Sequence, residues 1–351
     1  MHNRAMPPLM FGMKVYLPDD DPRSMPARMR GLGVTTVFCG DEYGPKLPAF
    51  REACARAGLQ FYLIATVFRD PKALAADPTL LSLGSAGGVS RWRDSEFYQL
   101  VCPARDDYLD RRIEKTHLDI EFLRPDGLSL DFIRYYVRRE QTVPDHPPEA
   151  IEKFCFCDHC LAIMRALPAF AFPHAARDRR AKAAWVLESR REEWTAWRCG
   201  IIARAVSRLA GAARSVAPNI GLAIHGVPWT SEEYDGARRV VAGQDIGMLA
   251  PLVDFFHPMC YFHMMRRRPE WTHDIAVDYA RSAGRPVLPC VQVNPFFRKG
   301  PIAPATFRRH VEAALKPPSP GINVWEWALL KDDPAKVDVL KSEFERAAAS
   351  A

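Results

Sequence analysis

The sequence predicts a single (β/α)8 barrel with elaborated loops after its third and fourth strands, covering residues 8–346. Three observations lead there. Eight short runs rich in β-branched and aromatic residues recur along the chain, each followed by a polar cluster and then by a segment of helical period. Most steps from strand to strand are about 20–35 residues, close to a minimal βα unit, while two are much longer. The length of 351 residues suits one barrel with insertions as well as it suits two smaller domains, and the unbroken strand–helix alternation favours the barrel.

The first strand is expected at residues 10–16, inside an apolar stretch that Lys14 interrupts and that lacks a small-residue cleavage site, so it reads as a strand and not as a signal peptide. Strand 2 (35–39) leads through Asp41 and Glu42 into a helix over 45–57, whose Phe50, Ala53 and Cys54 share one face. Strand 3 (59–67) precedes a polar insertion, 70–97, that contains Trp92. Strand 4 (127–132) precedes a second insertion, 137–182, with Pro144, Pro147, Pro148 and a group of cysteines. A long helix over 188–216 repeats Trp194, Trp197, Ile201, Ala205 and Leu209 at three- or four-residue steps. Strands 5 to 8 follow at 220–225, 253–261, 287–293 and 322–327. Insertions that follow strands gather at the C-terminal face, where barrels of this kind build their sites.

Composition narrows the function. The chain is 48% hydrophobic and 26% charged with a net charge of +6, which excludes disorder. The basic residues are scattered among acids along the helices, so no nucleic-acid face is expected, and the dense run Arg266, Arg267, Arg268 reads as a solvated loop, or with Arg69 and Arg134 as a contact for an anionic ligand such as an acidic sugar. No stretch is long and apolar enough for a membrane span. Nine cysteines, an odd number with no export signal, point to a reducing cytoplasm and to thiols or thiolates. The motifs GxSxG, GxxxxGK(S/T), HExxH and GxGxxG are absent, so no catalytic cofactor is expected.

The segment PDGLSLDFIRY, Pro125 to Tyr135, brings Asp131 to the mouth of strand 4, with Arg134 just beyond. This DGxxxDxxRY pattern resembles the fourth strand of many (β/α)8 glycoside hydrolases, and the resemblance implies an aspartate beneath the substrate. A simpler role for Asp131 is as a partner of Arg134. Glycosidic cleavage needs two carboxyl groups, about 5 Å apart for retention or about 6.5–9.5 Å for inversion. The second is expected to be Glu326, which ends strand 8 between Trp325 and Trp327, flat apolar rings of the kind on which sugars stack. An apolar setting suits Glu326 to the general acid and leaves Asp131 as nucleophile or base, although the roles could be exchanged. Strands 4 and 8 oppose each other, which slightly favours inversion.

Asp41 and Glu42 are expected to bind substrate or cap a helix. Tyr16, Arg69, Arg134, His225, Trp229, Tyr261, His263, Gln292, Asn294 and Trp325 line the other strand ends and suit a neutral, hydroxyl-rich carbohydrate. His257 could equally be a core histidine, and Asp254, early in strand 6, reads as structural. Two other readings stand beside the glycosidase. One is a catalytically silent barrel that binds a saccharide or a partner protein. The other is a metal-dependent hydrolase or lyase using His225, His257, His263 and Asp131, against which strand 1 reads FGMKVY with no HxH.

Cys155, Cys157 and Cys160 form a C-x-C-x-x-C run, and Cys102 lies about fifty residues upstream. Four thiolates suit a structural zinc ion, with His159 as an alternate ligand, and reduced metal-free thiols remain the other reading. The spacing resembles the zinc cluster of family 42 β-galactosidases, also split around strand 4. Two departures limit that likeness: strand 4 carries Leu130-Asp131-Phe132 where that family has an Asn-Glu pair, and the expected strand 7 glutamate is replaced by Gln292 or Asn294. Cys39, Cys54, Cys199, Cys260 and Cys290 read as core thiols. A zinc-pinned loop at the rim could also build a contact in a homo-oligomer.

Overall fold

A computed structural model of the chain describes residues 9–16, 21–88, 99–138 and 142–350, with 41–43 in backbone only. Trp92, in the first predicted insertion, lies outside the described residues. Eight parallel strands form the ring: β1 (Met10–Val15), β2 (Thr36–Gly40), β3 (Gln60–Thr66), β4 (Gly127–Asp131), β5 (Gly221–Gly226), β6 (Phe255–Pro258), β7 (Cys290–Gln292) and β8 (Gly321–Trp325). They follow the order β6-β5-β4-β3-β2-β1-β8-β7. An isolated parallel bridge between Phe256 and Val287 joins the two ends, so the sheet is a nearly closed (β/α)8 barrel.

The predicted strands are found, and two are shorter than expected for a reason in their proline content. Beyond Pro258 the chain turns at Cys260, Tyr261 and Phe262, each of whose N–H groups bonds two residues back. Pro286 and Pro289 cannot donate to a ladder, so β7 retains only three residues. The long helix is also divided: Arg179–Ser189 and Arg191–Val216 meet at Arg190, whose backbone is not helical.

Inside the ring the side chains fill the space in layers. Tyr62 lies across the lower barrel, and Gly127 and Gly221 face it. A Cβ on Gly127 would sit 2.0 Å from the Tyr62 ring and one on Gly221 2.2 Å from its hydroxyl, so glycine at these two positions makes the room for the ring. Phe38, Ile64, Ala223, Phe255 and Leu288 complete this apolar plug. Below it, side chains cap the starts of neighbouring strands: Asp126 accepts from the Phe61 N–H at 2.8 Å, and Asp254 from Leu222 at 2.9 Å, which is the structural role expected of Asp254. On the outside, Phe344 of the last helix, Pro334–Ala349, stacks on Phe11 of β1 at 4.2 Å, a contact worth about 0.5–1.5 kcal/mol beyond its buried area.

The two long loops are stitched to each other. Leu81 bridges Val101 within the loop after β3, and Gly84 bridges Phe154 of the loop after β4. No helix among the described residues is long and apolar enough to cross a membrane.

Candidate active site

Alternation along each strand sends every second residue inward, and above the apolar plug those residues become polar. Asp131 ends β4 with its side chain about 10% exposed. Its Oδ2 lies 3.0 Å from Nδ1 of His225, the inward residue near the end of β5. Its Oδ1 accepts from the Phe132 N–H at 2.7 Å. Phe132 has φ of 50°, a left-handed conformation that bulky residues rarely adopt, and this turns its N–H back toward the carboxylate. The Phe132 ring in turn lies between two guanidinium groups, Arg134 at 5.1 Å and Arg69 at 5.8 Å.

Burial by itself would raise the Asp131 carboxyl. The charge of His225, its hydrogen bond, the Lys14 ammonium and the Phe132 N–H together outweigh burial and hold it well below the ordinary carboxylate range. Asp131 is therefore an anion across the neutral range, able to act as nucleophile or base and unable to donate a proton. Lys14 is fully buried, and its Nζ donates to the Tyr261 hydroxyl at 3.4 Å. Ser129 Oγ is 3.4 Å from His225 Nε2. His257, the register partner of His225 on β6, faces it at 5.5 Å between ring centroids, and its Nδ1 lies 3.1 Å from the Leu288 carbonyl. Burial, with His225 and Lys14 nearby, pushes His257 well below the usual imidazole value, so it is neutral.

Across the ring, four strands away in either direction, Glu326 follows β8 and starts the short helix Trp327–Leu330 in a partly buried position. Trp325 before it stacks on Tyr261 at 4.3 Å, and Phe296, 43% exposed, meets its edge at 5.4 Å. These three rings make an aromatic wall on the β6–β8 side of the mouth. Tyr16, half-buried at the end of β1, packs on the barrel plug. His263 lies partly exposed on the loop after β6, and burial and then Arg298 lower its pKa.

Five expected substrate contacts are instead committed to the protein. Trp229 is fully buried, with its ring 5.3 Å from Tyr234. Arg134 is 1% exposed and donates to the Tyr135 carbonyl, and the partner of Asp131 is His225 and not this arginine. Gln292 accepts from the Met264 N–H and donates to the Asn294 carbonyl. The Asn294 amide donates to the Leu329 carbonyl and accepts from Lys336. His225 is also fully buried, and it addresses Asp131 where a substrate contact was expected. The side chains of Asp41 and Glu42 lie outside the described residues. Sequence reasoning did not select Lys14 or Ser129, although the inward period of β1 (Met10, Gly12, Lys14, Tyr16) carries the signal for Lys14.

A second centre lies behind the β3 and β4 loops. Cys102 and the three cysteines of the C-x-C-x-x-C run are buried, with their sulfurs within 4.8 Å of one another, so the cluster could hold a metal ion. It is the one such group of histidine, cysteine or acidic residues among the described residues, and the barrel histidines do not form another. The donor set fits a soft divalent ion: the N–H groups of Leu83 and Cys157 both point at Cys155 Sγ at 3.4 Å, which favours a thiolate there. Burial would raise the Cys155 thiol, but its three sulfur neighbours and Ser82 hold it well below its ordinary value. His159 does not join the cluster, since its Nε2 lies 3.0 Å from the Ala104 carbonyl.

No protein-family model matches the chain, and no curated protein does. Its structural neighbours are glycoside hydrolases with a (β/α)8 barrel. The glycoside hydrolase domain of PgaB (BpsB) from Bordetella bronchiseptica is similar at a TM-score of 0.70 and 14% identity, over 95% of this chain and 98% of that one. A β-galactosidase from the psychrophilic Marinomonas ef1 follows at 0.68 and 12%, and Gan42B, a GH42 β-galactosidase from G. stearothermophilus, at 0.62 and 13%. The likeness to each of these two covers 97% of this chain, which spans 60% and 57% of those enzymes. At these identities the likeness is one of fold.

Proposed function

We propose that the protein is a glycoside hydrolase that cleaves an O-glycosidic bond at the C-terminal mouth of its barrel. The observation that carries this reading is the Asp131 carboxylate, buried at the end of β4 yet kept ionised by His225, Lys14 and the Phe132 N–H. A glycosidase needs one carboxylate held as an anion, to attack the anomeric carbon or activate a water, and one carboxylic acid to protonate the leaving oxygen. Asp131 fits the first role, and Glu326 takes the second. The sugar ring lies against Trp325 and Phe296, whose faces supply apolar contact while Tyr261, buried beneath Trp325, backs that ring and polar groups at the mouth supply orientation. The fold shared with glycoside hydrolases supports the same class of chemistry.

Cys102, Cys155, Cys157 and Cys160 hold one structural zinc ion, which ties the loop after β3 to the loop after β4 and so fixes the surroundings of Asp131. The ion takes no part in the reaction. A reducing compartment such as the cytoplasm suits a chain whose nine cysteines are all buried and unbridged.

The test is hydrolysis of a broad panel of aryl glycosides and oligosaccharides by the wild type, Asp131→Asn and Glu326→Gln, each checked for folding. Activity on any member that falls at least 100-fold in both variants supports the two-carboxylate mechanism. Activity that survives one change removes that residue, and silence across the panel with saccharide binding retained favours a binding barrel.

A further inference from the structure

Arg198 is a fully buried charge without a carboxylate. It sits on the helix Arg191–Val216 with no exposed surface, and among the described residues no acidic side chain pairs with it. Two guanidinium nitrogens donate to the carbonyls of Val240 and Val241 at 2.6 and 2.7 Å, while Nε has no partner among the described residues. The group is clamped between two rings, Tyr135 at 3.9 Å and Trp194 at 4.0 Å from its central carbon. Neutral carbonyls and ring faces soften the cost of burying a cation, but they do not cancel its charge.

The missing negative charge is close by. Trp194 stacks on Phe156 at 5.1 Å with an interplanar angle of 11°, and Phe156 lies between Cys155 and Cys157. Tyr135, on the other side of the guanidinium, is near enough to Cys102, Cys155 and Cys160 to feel their charge, as Arg198 is to Cys155 and Cys160. A divalent ion with four thiolates carries a net charge of −2, and four neutral thiols carry none.

We infer that Arg198 is the counter-cation of a dianionic metal–tetrathiolate centre, a positioning residue that holds all four cysteines in their ligating form across a layer of aromatic rings. This rests on the metal reading of the four cysteines. The pairing runs both ways: the metal centre supplies the charge that makes a buried arginine tolerable, and the arginine makes a doubly negative centre tolerable in an apolar interior.

The experiment compares zinc affinity, by competition with a chromophoric chelator, in the purified full-length wild type, Arg198→Lys, Arg198→Met and Arg198→Gln, with folding followed by circular dichroism. The wild type should bind one zinc, and its cobalt-substituted form should show the absorption of four-thiolate coordination. Arg198→Lys, which keeps the charge but loses the two-pronged hydrogen bond, should stay within about threefold of wild type. Arg198→Met and Arg198→Gln should lose about tenfold or more, and a neutral variant that folds only in excess zinc reports the same weakening through linkage. Neutral variants that bind zinc as tightly as the wild type overturn the inference. So do neutral variants that stay unfolded at any zinc concentration, since Arg198 would then be a packing residue. A wild type that binds no zinc defeats the metal reading itself.

Discussion

Replacing His225 by phenylalanine tests whether Asp131 is held ionised by its neighbours. The substitution keeps a ring in place and removes Nδ1, which lies 3.0 Å from Asp131 Oδ2. A hydrogen bond to a charged group is worth about 1.5–3 kcal/mol, and stranding a buried charge by deleting its partner costs about 3–5 kcal/mol. The Phe132 N–H and Lys14 remain beside Asp131, so a loss near the low end, about 3 kcal/mol at pH 7, is expected. In the wild type the Asp131 carboxyl lies below its unfolded value of about 3.9, so its contribution is present above about pH 4 and is lost as pH falls through the folded value. In the variant burial, the largest influence on Asp131, outweighs what Lys14 and Phe132 leave, and the carboxyl rises. The folded variant then takes up a proton before the unfolded chain does, and it recovers stability as the solution becomes more acid. Urea unfolding of the wild type, His225→Phe, Asp131→Asn and the double variant, at several values between about pH 4 and 7, reads both effects. The deficit should be widest at pH 7 and narrow toward pH 4, and in the Asp131→Asn background the same substitution should cost less than about 1 kcal/mol. A deficit independent of pH, or equal in both backgrounds, refutes the reasoning.

Other outcomes follow from single contacts. Gly127→Ala drives a methyl to 2.0 Å from the Tyr62 ring and should destabilise the barrel by about 3 kcal/mol in thermal or urea unfolding, with partial recovery when Tyr62→Leu is added. Asn294→Ala removes hydrogen bonds to Leu329 and Lys336 and should cost about 2 kcal/mol of stability while leaving saccharide affinity unchanged, which calorimetry with any bound sugar checks. Trp325→Ala should weaken that affinity about tenfold, since a stacked ring contributes on the order of 1 kcal/mol beyond its buried area. Cys160→Ser should release the metal, as elemental analysis would show, and lower the unfolding midpoint.

The barrel and the cysteine cluster were legible in the sequence because both are written in spacing. Strand alternation placed Asp131 at a strand end, and C-x-C-x-x-C with Cys102 upstream foreshadowed four sulfurs within 4.8 Å. What spacing does not carry is where a side chain spends its hydrogen bonds. Gln292 and Asn294 look like sugar ligands by residue type, yet the Gln292 amide is taken by the Met264 N–H, 28 residues away, and by the nearby Asn294 carbonyl, and the Asn294 amide by Leu329 and Lys336, 35 and 42 residues away. Arg134 and Trp229 likewise follow strand ends and turn into the protein, where the Tyr135 carbonyl takes a hydrogen bond from Arg134 and Tyr234 packs on Trp229. Lys14 escaped notice for the opposite reason: a lysine in an apolar run looks like an interruption, and its burial makes sense only once the Asp131 carboxylate and the Tyr261 hydroxyl stand across the ring.

The join between β6 and β7 rests on one bridge, with Phe256 taking a hydrogen bond from Leu288 and giving one to Pro286, whereas the other neighbours share ladders of three to five residues. The ring is a hoop with one thin link, and a hoop opens where it is thinnest. The aromatic wall straddles that link: Tyr261 rises from the β6 side and leans over β7 onto Trp325 of β8, while the Gln292 side chain takes the Met264 N–H from the far bank. Under the proposed saccharide binding, a ligand seated on those rings would brace the hoop at the point where it would part, so occupancy of the mouth would stabilise the closed barrel.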